Sequence, residues 1–202
     1  QYPNWKFLEL VHRLDRETSG SLLLAKKRAT LIELHRQIRE REMKKHYLVL
    51  VKGKWQNHRQ NVKFPLNKYF TASGERRVAV AIDKKNYSQN MTAHTVFTLK
   101  KTWEDFSLLE AELITGRTHQ IRVHLAHLGF PVIGDNKYGD FQLNKKLSKT
   151  SGKGPKLKRM FLHASLAIVT HPTTGKILHL AAPLTNDLQK FLNDLDTKAK
   201  KI

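Results

Sequence analysis

The chain has 202 residues, with 37 lysines and arginines against 17 acids, a net charge of +20 at pH 7. That length suits one compact domain burying roughly 70% of its unfolded surface, and that charge calls for a polyanionic partner, nucleic acid above all. The absence of cysteine excludes a disulfide framework, thiolate metal sites and thiol catalysis and suits a reducing cytosol, and no apolar run approaches the roughly 18 to 20 residues of a membrane span.

In chain order, Gln1 is no initiator and Phe7 to Val11 (FLELV) reads as a strand already under way, so upstream residues are expected. Next comes HRLDRETSG (12–20), which sets Asp15 between Arg13 and Arg16 and follows it with the turn and cap residues Thr18, Ser19 and Gly20. Ser21 to Lys26 reads as a short strand, and Arg28 to Met43 as a helix with apolar residues at Leu31, Leu34 and Ile38. Strands are predicted at Lys45 to Val51, Arg76 to Ile82, Thr92 to Leu99 and Phe106 to Ile114, the last two joined as a hairpin through Trp103 to Asp105. Thr118 is expected to cap a helix striped by Ile121, Leu125 and Leu128 and ended by Gly129 and Pro131. Asn144 to Arg159, rich in lysine with two glycines, a proline and no acid, reads as a basic loop, either a solvated insertion or a phosphate-contacting arm. A hairpin from Phe161 to Ala181 and a helix from Asn186 to Leu195 close the chain. The long strand runs lack regular helical crossovers, so the expected fold is mixed α/β of the α+β type, a mostly antiparallel sheet flanked by helices.

The chemistry narrows by elimination. Gly53-Lys54, Gly152-Lys153 and Gly175-Lys176 all lack the earlier glycine of a phosphate-cradling loop. His119, His124 and His127 crowd one helix without a metalloprotease spacing, so contact with phosphate or packing at the helix surface is expected and no metal is. Asp15 alone could be a cap or a salt-bridged acid, Tyr47 a strand aromatic in the core, and Arg117 and Arg122 ordinary phosphate contacts.

Together these stretches carry more. HRLDRETSG, KKHYLVLVKG (44–53), ITGRTHQIRVHLAHLGFPVIGDNKYGD (114–140), FLHASLAIVTHPTTGK (161–176) and APL (182–184) occur in order over almost the whole chain. The series resembles the pseudouridine synthases of the RluA type. His12 and Thr118-His119-Gln120 separate it from the related RsuA type. The resemblance implies an isomerase that detaches a uracil in RNA from its ribose and rejoins it through C5. It works on a flipped-out base without metal or organic cofactor, as a cytoplasmic monomer with no membrane partner. Large-subunit (23S) ribosomal RNA is the expected substrate, with transfer RNA as the alternative.

By the same resemblance, Asp15 is the catalytic nucleophile, Arg122 its pairing cation and Tyr47 the active-site aromatic, stacking on the uracil or removing its C5 proton. Arg13 fills the gap left by the flipped nucleotide, and Arg16, Lys44, Lys45, Arg117 and His119 handle phosphates and the uridine's polar edge. The physical reason for Asp15 among cations follows: a nucleophilic acid must stay ionised in a site partly emptied of water, which requires a fixed cation beside it. Arginine suits that task because it can grip a carboxylate with two parallel hydrogen bonds. A strand and an S4-type RNA-binding domain common before HRLD in this family do not occur in residues 1–202, which are expected to form the catalytic domain alone. Two rivals stay open: a non-enzymatic RNA-binding or assembly factor needs only the positive surface, and a nuclease would want clustered acids for metal or paired histidines.

Overall fold

The computed structural model describes residues 6–81, 91–149 and 155–199. Its centre is a sheet in the order β11-β10-β4-β9-β8-β5: Ile177–Ala181, Leu162–Thr170, Lys44–Lys52, Phe106–Leu113, Thr95–Thr102 and Arg59–Val62 respectively, all paired antiparallel. A seventh short strand, β2 (Ser19–Gly20), adds to β10 in parallel. The expected mixed, mostly antiparallel sheet with flanking helices is what forms.

Strand β4 is apolar at successive positions because both of its faces are covered. Tyr47, Val49 and Val51 point into one cluster with Phe97, Leu109 and Ala111, under Ile121 and Leu125 of α2 (Gln120–His127). Leu50 points into another cluster with Phe106, Leu108 and Phe161, against Leu188, Phe191, Leu192 and Leu195 of α4 (Asn186–Ala199). The period-two alternation of a strand sorts the residues between these layers. A third cluster packs Leu34 of α1 (Arg28–Arg39) with Val11, Ala25, Met43 and Val169. No helix of the described residues is long and apolar enough to cross a membrane.

Several expectations are corrected. The strand predicted from Phe7 to Val11 shrinks to β1 (Glu9–Leu10), and the one at Ser21 to Lys26 to β3 (Leu24–Ala25), which pair with each other. Helix α1 stops at Arg39, not Met43: Glu40 caps it and Arg41 takes the left-handed conformation, turning the chain back toward β4. A small separate hairpin, β6 (Leu66–Phe70) with β7 (Arg76–Val80), packs Leu66 and Val78 against Val123 of α2; Ile82 lies outside the described residues. The first part of the expected basic loop is helical, in α3 (Phe141–Ser148), started by the Asp140 carboxylate accepting from the Leu143 N–H. Residues 150–154 of that loop lie outside the described residues.

The β2–β10 pair fixes the HRLDRETSG segment. Ser19 donates its hydroxyl to His163 Nδ1 at 2.9 Å while His163 Nε2 faces the Ala182 carbonyl at 3.0 Å, a pattern that puts the ring proton on Nε2. Gly20 has φ +107°, and a Cβ there would lie 2.2 Å from the Ala164 carbonyl oxygen. Gly20→Ala is therefore expected to cost about 2–3 kcal/mol of stability and to cut activity, read as a lower urea midpoint; an unchanged midpoint would show that this pairing is dispensable.

Candidate active site

Asp15 sits in the loop between β1 and β2, where its carbonyl closes a turn onto the Thr18 N–H at 2.9 Å. Leu14 beside it packs on the cluster beneath α2. Its carboxylate looks into a cleft of about 390 Å³ lined by His12, Arg13, Lys45, Tyr47, Arg117, His119 and Arg122. Lys45 and Tyr47 are two residues apart on β4 and share its cleft-facing side. The loop from Gly116 to His119 and the first turn of α2 form the opposite wall.

Arg122 is the hub. Its Nη1 donates to Asp15 Oδ2 at 2.9 Å. Its Nε and Nη2 donate to Asp135 Oδ2 and Oδ1 at 2.7 and 2.8 Å. The two-bond grip expected on Asp15 thus falls on Asp135, and Asp15 receives one bond. The reason is burial: Asp135 is fully buried, and a charge there must be matched in full, whereas Asp15 keeps 18% of its side chain exposed. The backbone N–H groups of Lys137 and Tyr138 complete the shell of Asp135. Burial alone would raise the Asp135 pKa, but the Arg122 bonds and charge outweigh it and hold the acid below its ordinary range. Burial likewise works against the Arg122 charge, and the two carboxylates more than restore it, keeping the guanidinium protonated.

His119 occupies the left-handed region, φ 56°, and caps α2 without a side-chain capping bond; Thr118 is not the cap residue. The His119 Nδ1 lies 2.8 Å from the Tyr138 hydroxyl, which also accepts from the Val78 N–H, and the Arg122 guanidinium stands 5.1 Å from the Tyr138 ring centre. His119 Nε2 is 3.9 Å from Asp15 Oδ1, beyond hydrogen-bond reach. Burial, partly offset by the charge of Asp15 and reinforced by the Arg122 guanidinium, lowers the His119 pKa. Tyr47 is 7% exposed; burial, then the charge of Asp15, pushes its hydroxyl up to about 12.

The arrangement can present a carboxylate with one oxygen held by a cation and the other facing the cleft, next to an aromatic wall. Residues 1–127, more than half of the chain, match the RNA pseudouridylate synthase family. The chain belongs to that family. Ribosomal large subunit pseudouridine synthase C of Salmonella typhi is 44% identical over 197 residues, covering 98% of this chain and 59% of that protein. The protein of the same name from Escherichia coli (strain K12) is 44% identical over 193 residues, covering 96% and 58%. The chain therefore spans about 59% of the length of such a relative. The solved structure of human RNA pseudouridylate synthase domain containing 1 superposes with a TM-score of 0.76 at 23% identity, over 100% of this chain and 83% of the other, a likeness of fold.

In this family member the structure gathers Asp15, Tyr47, Arg122, Arg13, Lys45, Arg117 and His119 on one cleft. It leaves two expected contacts outside the cleft lining. Arg16 is exposed beyond the rim, and Lys44, on the other face of β4, is exposed and paired with Ile168. The histidines of α2 part company as well. His124 is fully buried, with Thr95 Oγ1 3.0 Å from Nδ1 and the Phe64 carbonyl 3.0 Å from Nε2, so it is a satisfied core residue and not a surface one. Asp135 and Tyr138 were missed by sequence reasoning, although both stand in the quoted PVIGDNKYGD; an acid one glycine beyond a Val-Ile pair destined for the core was the available signal.

Proposed function

We propose that this chain is the catalytic domain of an RNA pseudouridine synthase acting on specific uridines of large-subunit ribosomal RNA. The observation that carries the reading is the meeting of Asp15, Tyr47 and Arg122 on one cleft, with Asp15 Oδ2 tied to Arg122 at 2.9 Å. That bond fixes the carboxylate and leaves Oδ1 facing the cleft, available to attack the sugar or the base. Arg122 cannot drift, because Asp135 holds its other edge. Arg13 stands exposed at the mouth, placed to enter the stack that a flipped nucleotide vacates. A uracil can lie against the Tyr47 ring, and the excess of basic residues supplies the affinity for backbone phosphate.

The raised Tyr47 pKa favours stacking over proton removal as that residue's task. The neutral phenol persists above the usual value of about 10, so the rate is expected to show no basic limb from Tyr47 below about pH 10. Tyr47→Phe should then keep the shape of the profile. A limb near pH 8 that the substitution removes would instead make the hydroxyl the base.

The reading is tested on large-subunit ribosomal RNA transcribed without modification, incubated with the protein and mapped for pseudouridine by carbodiimide treatment and primer extension. Stops at a few uridines support it. RNA bound tightly with no new stops would favour a binding protein, and stops on transfer RNA alone would move the substrate.

A further inference from the structure

Beside the main cleft lies a smaller chamber of about 140 Å³ lined by Arg39, Arg41, Lys45, Thr115 and Arg117 over a floor that includes Met43 and Leu113. Ile38, Arg39, Lys45, Leu113, Gly116 and Arg117 line both cavities, so the two adjoin, and of the chamber's four cations Arg41 alone stands outside the main cleft. Four cations and no carboxylate line this chamber. Like charges brought together in a protein repel unless an anion joins them, and the nearby acids are engaged elsewhere. Glu33, Glu40 and Glu42 all pair with Arg36, the last at 2.7 Å. Glu40 and Glu42 flank Arg41 in sequence, yet neither pairs with Arg39 or Arg41. Among the described residues no acid pairs with Arg39, Arg41 or Lys45.

The backbone is shaped to the same end. Arg41 stands at φ 63°, a conformation that favours glycine and costs an ordinary residue on the order of 1 kcal/mol. At Gly116 a side chain would begin 3.2 Å from the Lys45 ammonium, so the missing Cβ makes room for that charge. Burial lowers the Lys45 pKa, a cost that an anion in the chamber would offset. Arg117 has its Nε bonded to the Thr92 carbonyl at 3.1 Å, which leaves its terminal nitrogens to donate elsewhere.

We propose that this chamber is a phosphate subsite, holding the backbone phosphate of a nucleotide next to the one whose base enters the main cleft. This rests on the synthase reading above. Lys45 belongs to the shared wall: it is about 7 Å along β4 from Tyr47, a span bridged by a sugar and its phosphate. Two arginine forks suit a phosphate's paired oxygens better than ammonium groups would. Arg39 and Arg41 thus set the strand's register, deciding which nucleotide stands over Asp15.

The test uses the full chain and a variant carrying Arg39→Ala and Arg41→Gly. Glycine relieves the positive φ, so the thermal midpoint should not fall. An RNA fragment containing a mapped target uridine is made in versions with one uncharged methylphosphonate linkage at each position around the target. For the wild type, one position should weaken binding about tenfold. The variant should bind the all-phosphate RNA about tenfold more weakly, be indifferent to that methylphosphonate, and show a salt slope smaller by roughly 0.7, the loss of one phosphate contact. Equal sensitivity of both proteins at every linkage, or a weaker affinity accompanied by a lower midpoint, would overturn the subsite. Absence of pseudouridine with the wild type would instead be the failure of the synthase reading.

Discussion

Asp15→Asn is expected to abolish isomerisation, by roughly 10⁴-fold or more, with RNA affinity retained or improved. The carboxamide has nearly the shape of the carboxylate, and its oxygen can still accept the 2.9 Å bond from Arg122 Nη1, so the cleft keeps its form. Only the nucleophile and one negative charge are lost, and losing a negative charge favours a polyanion. Turnover and binding are measured side by side on unmodified ribosomal RNA. Measurable isomerisation by the variant would remove Asp15 from its role; loss of binding with a lowered thermal midpoint would make it a structural acid.

Asp135→Asn should be the more damaging to the fold. Asp135 Oδ1 accepts from Arg122 Nη2, Lys137 N and Tyr138 N, and Oδ2 from Arg122 Nε. An amide there must turn an N–H toward one of these donors, and Arg122 is left with a charge that only the partly exposed Asp15 opposes. Breaking a buried pair from one side costs about 3–5 kcal/mol, a large part of the roughly 5–15 kcal/mol that holds a domain together. Activity should fall sharply as well, even well below the melting temperature, because Arg122 can swing away from Asp15.

The sign of the pH dependence follows from the lowered Asp135 pKa. The folded acid binds its proton later than the unfolded one, so its contribution is complete above about pH 4, the unfolded value, and is lost as pH falls through the folded value. The variant should lack that part of the acid destabilisation. An acid-unfolding curve parallel to the wild type's would show that Asp135 has the same pKa in the folded and unfolded states.

What the sequence disclosed depended on burial. Strand β4 and the β8–β9 hairpin were legible because their residues alternate between two covered faces. Strand β5 buries Val62 alone and α3 buries no residue, so neither shows an apolar period, and α3 is masked further by the lysines around it. Strand β6 has one fully buried residue, Leu66, and leaves Tyr69 and Phe70 exposed. At the site, the meeting of Asp15 with Arg122 across 107 positions could be expected only from the family resemblance, since no local pattern encodes so distant a contact. The resemblance supplied the pair but not the stoichiometry of its bonds: that the arginine's fork belongs to Asp135 is a consequence of depth, which sequence spacing does not express.

The parallel attachment of Ser19 and Gly20 to His163 and Ala164 has a consequence for the protein's synthesis. The loop bearing Asp15 is among the first parts of the described chain to be made, and the strand that anchors it is among the last. A nascent chain on the ribosome therefore carries the acid without the edge that seats it until everything from β2 to β10 has been made. Contacts of such sequence separation form late and slowly. On the proposed function, competence should arrive in one step, only after β10 has left the exit tunnel, so that an unfinished chain, though made beside ribosomal RNA, should not act on it.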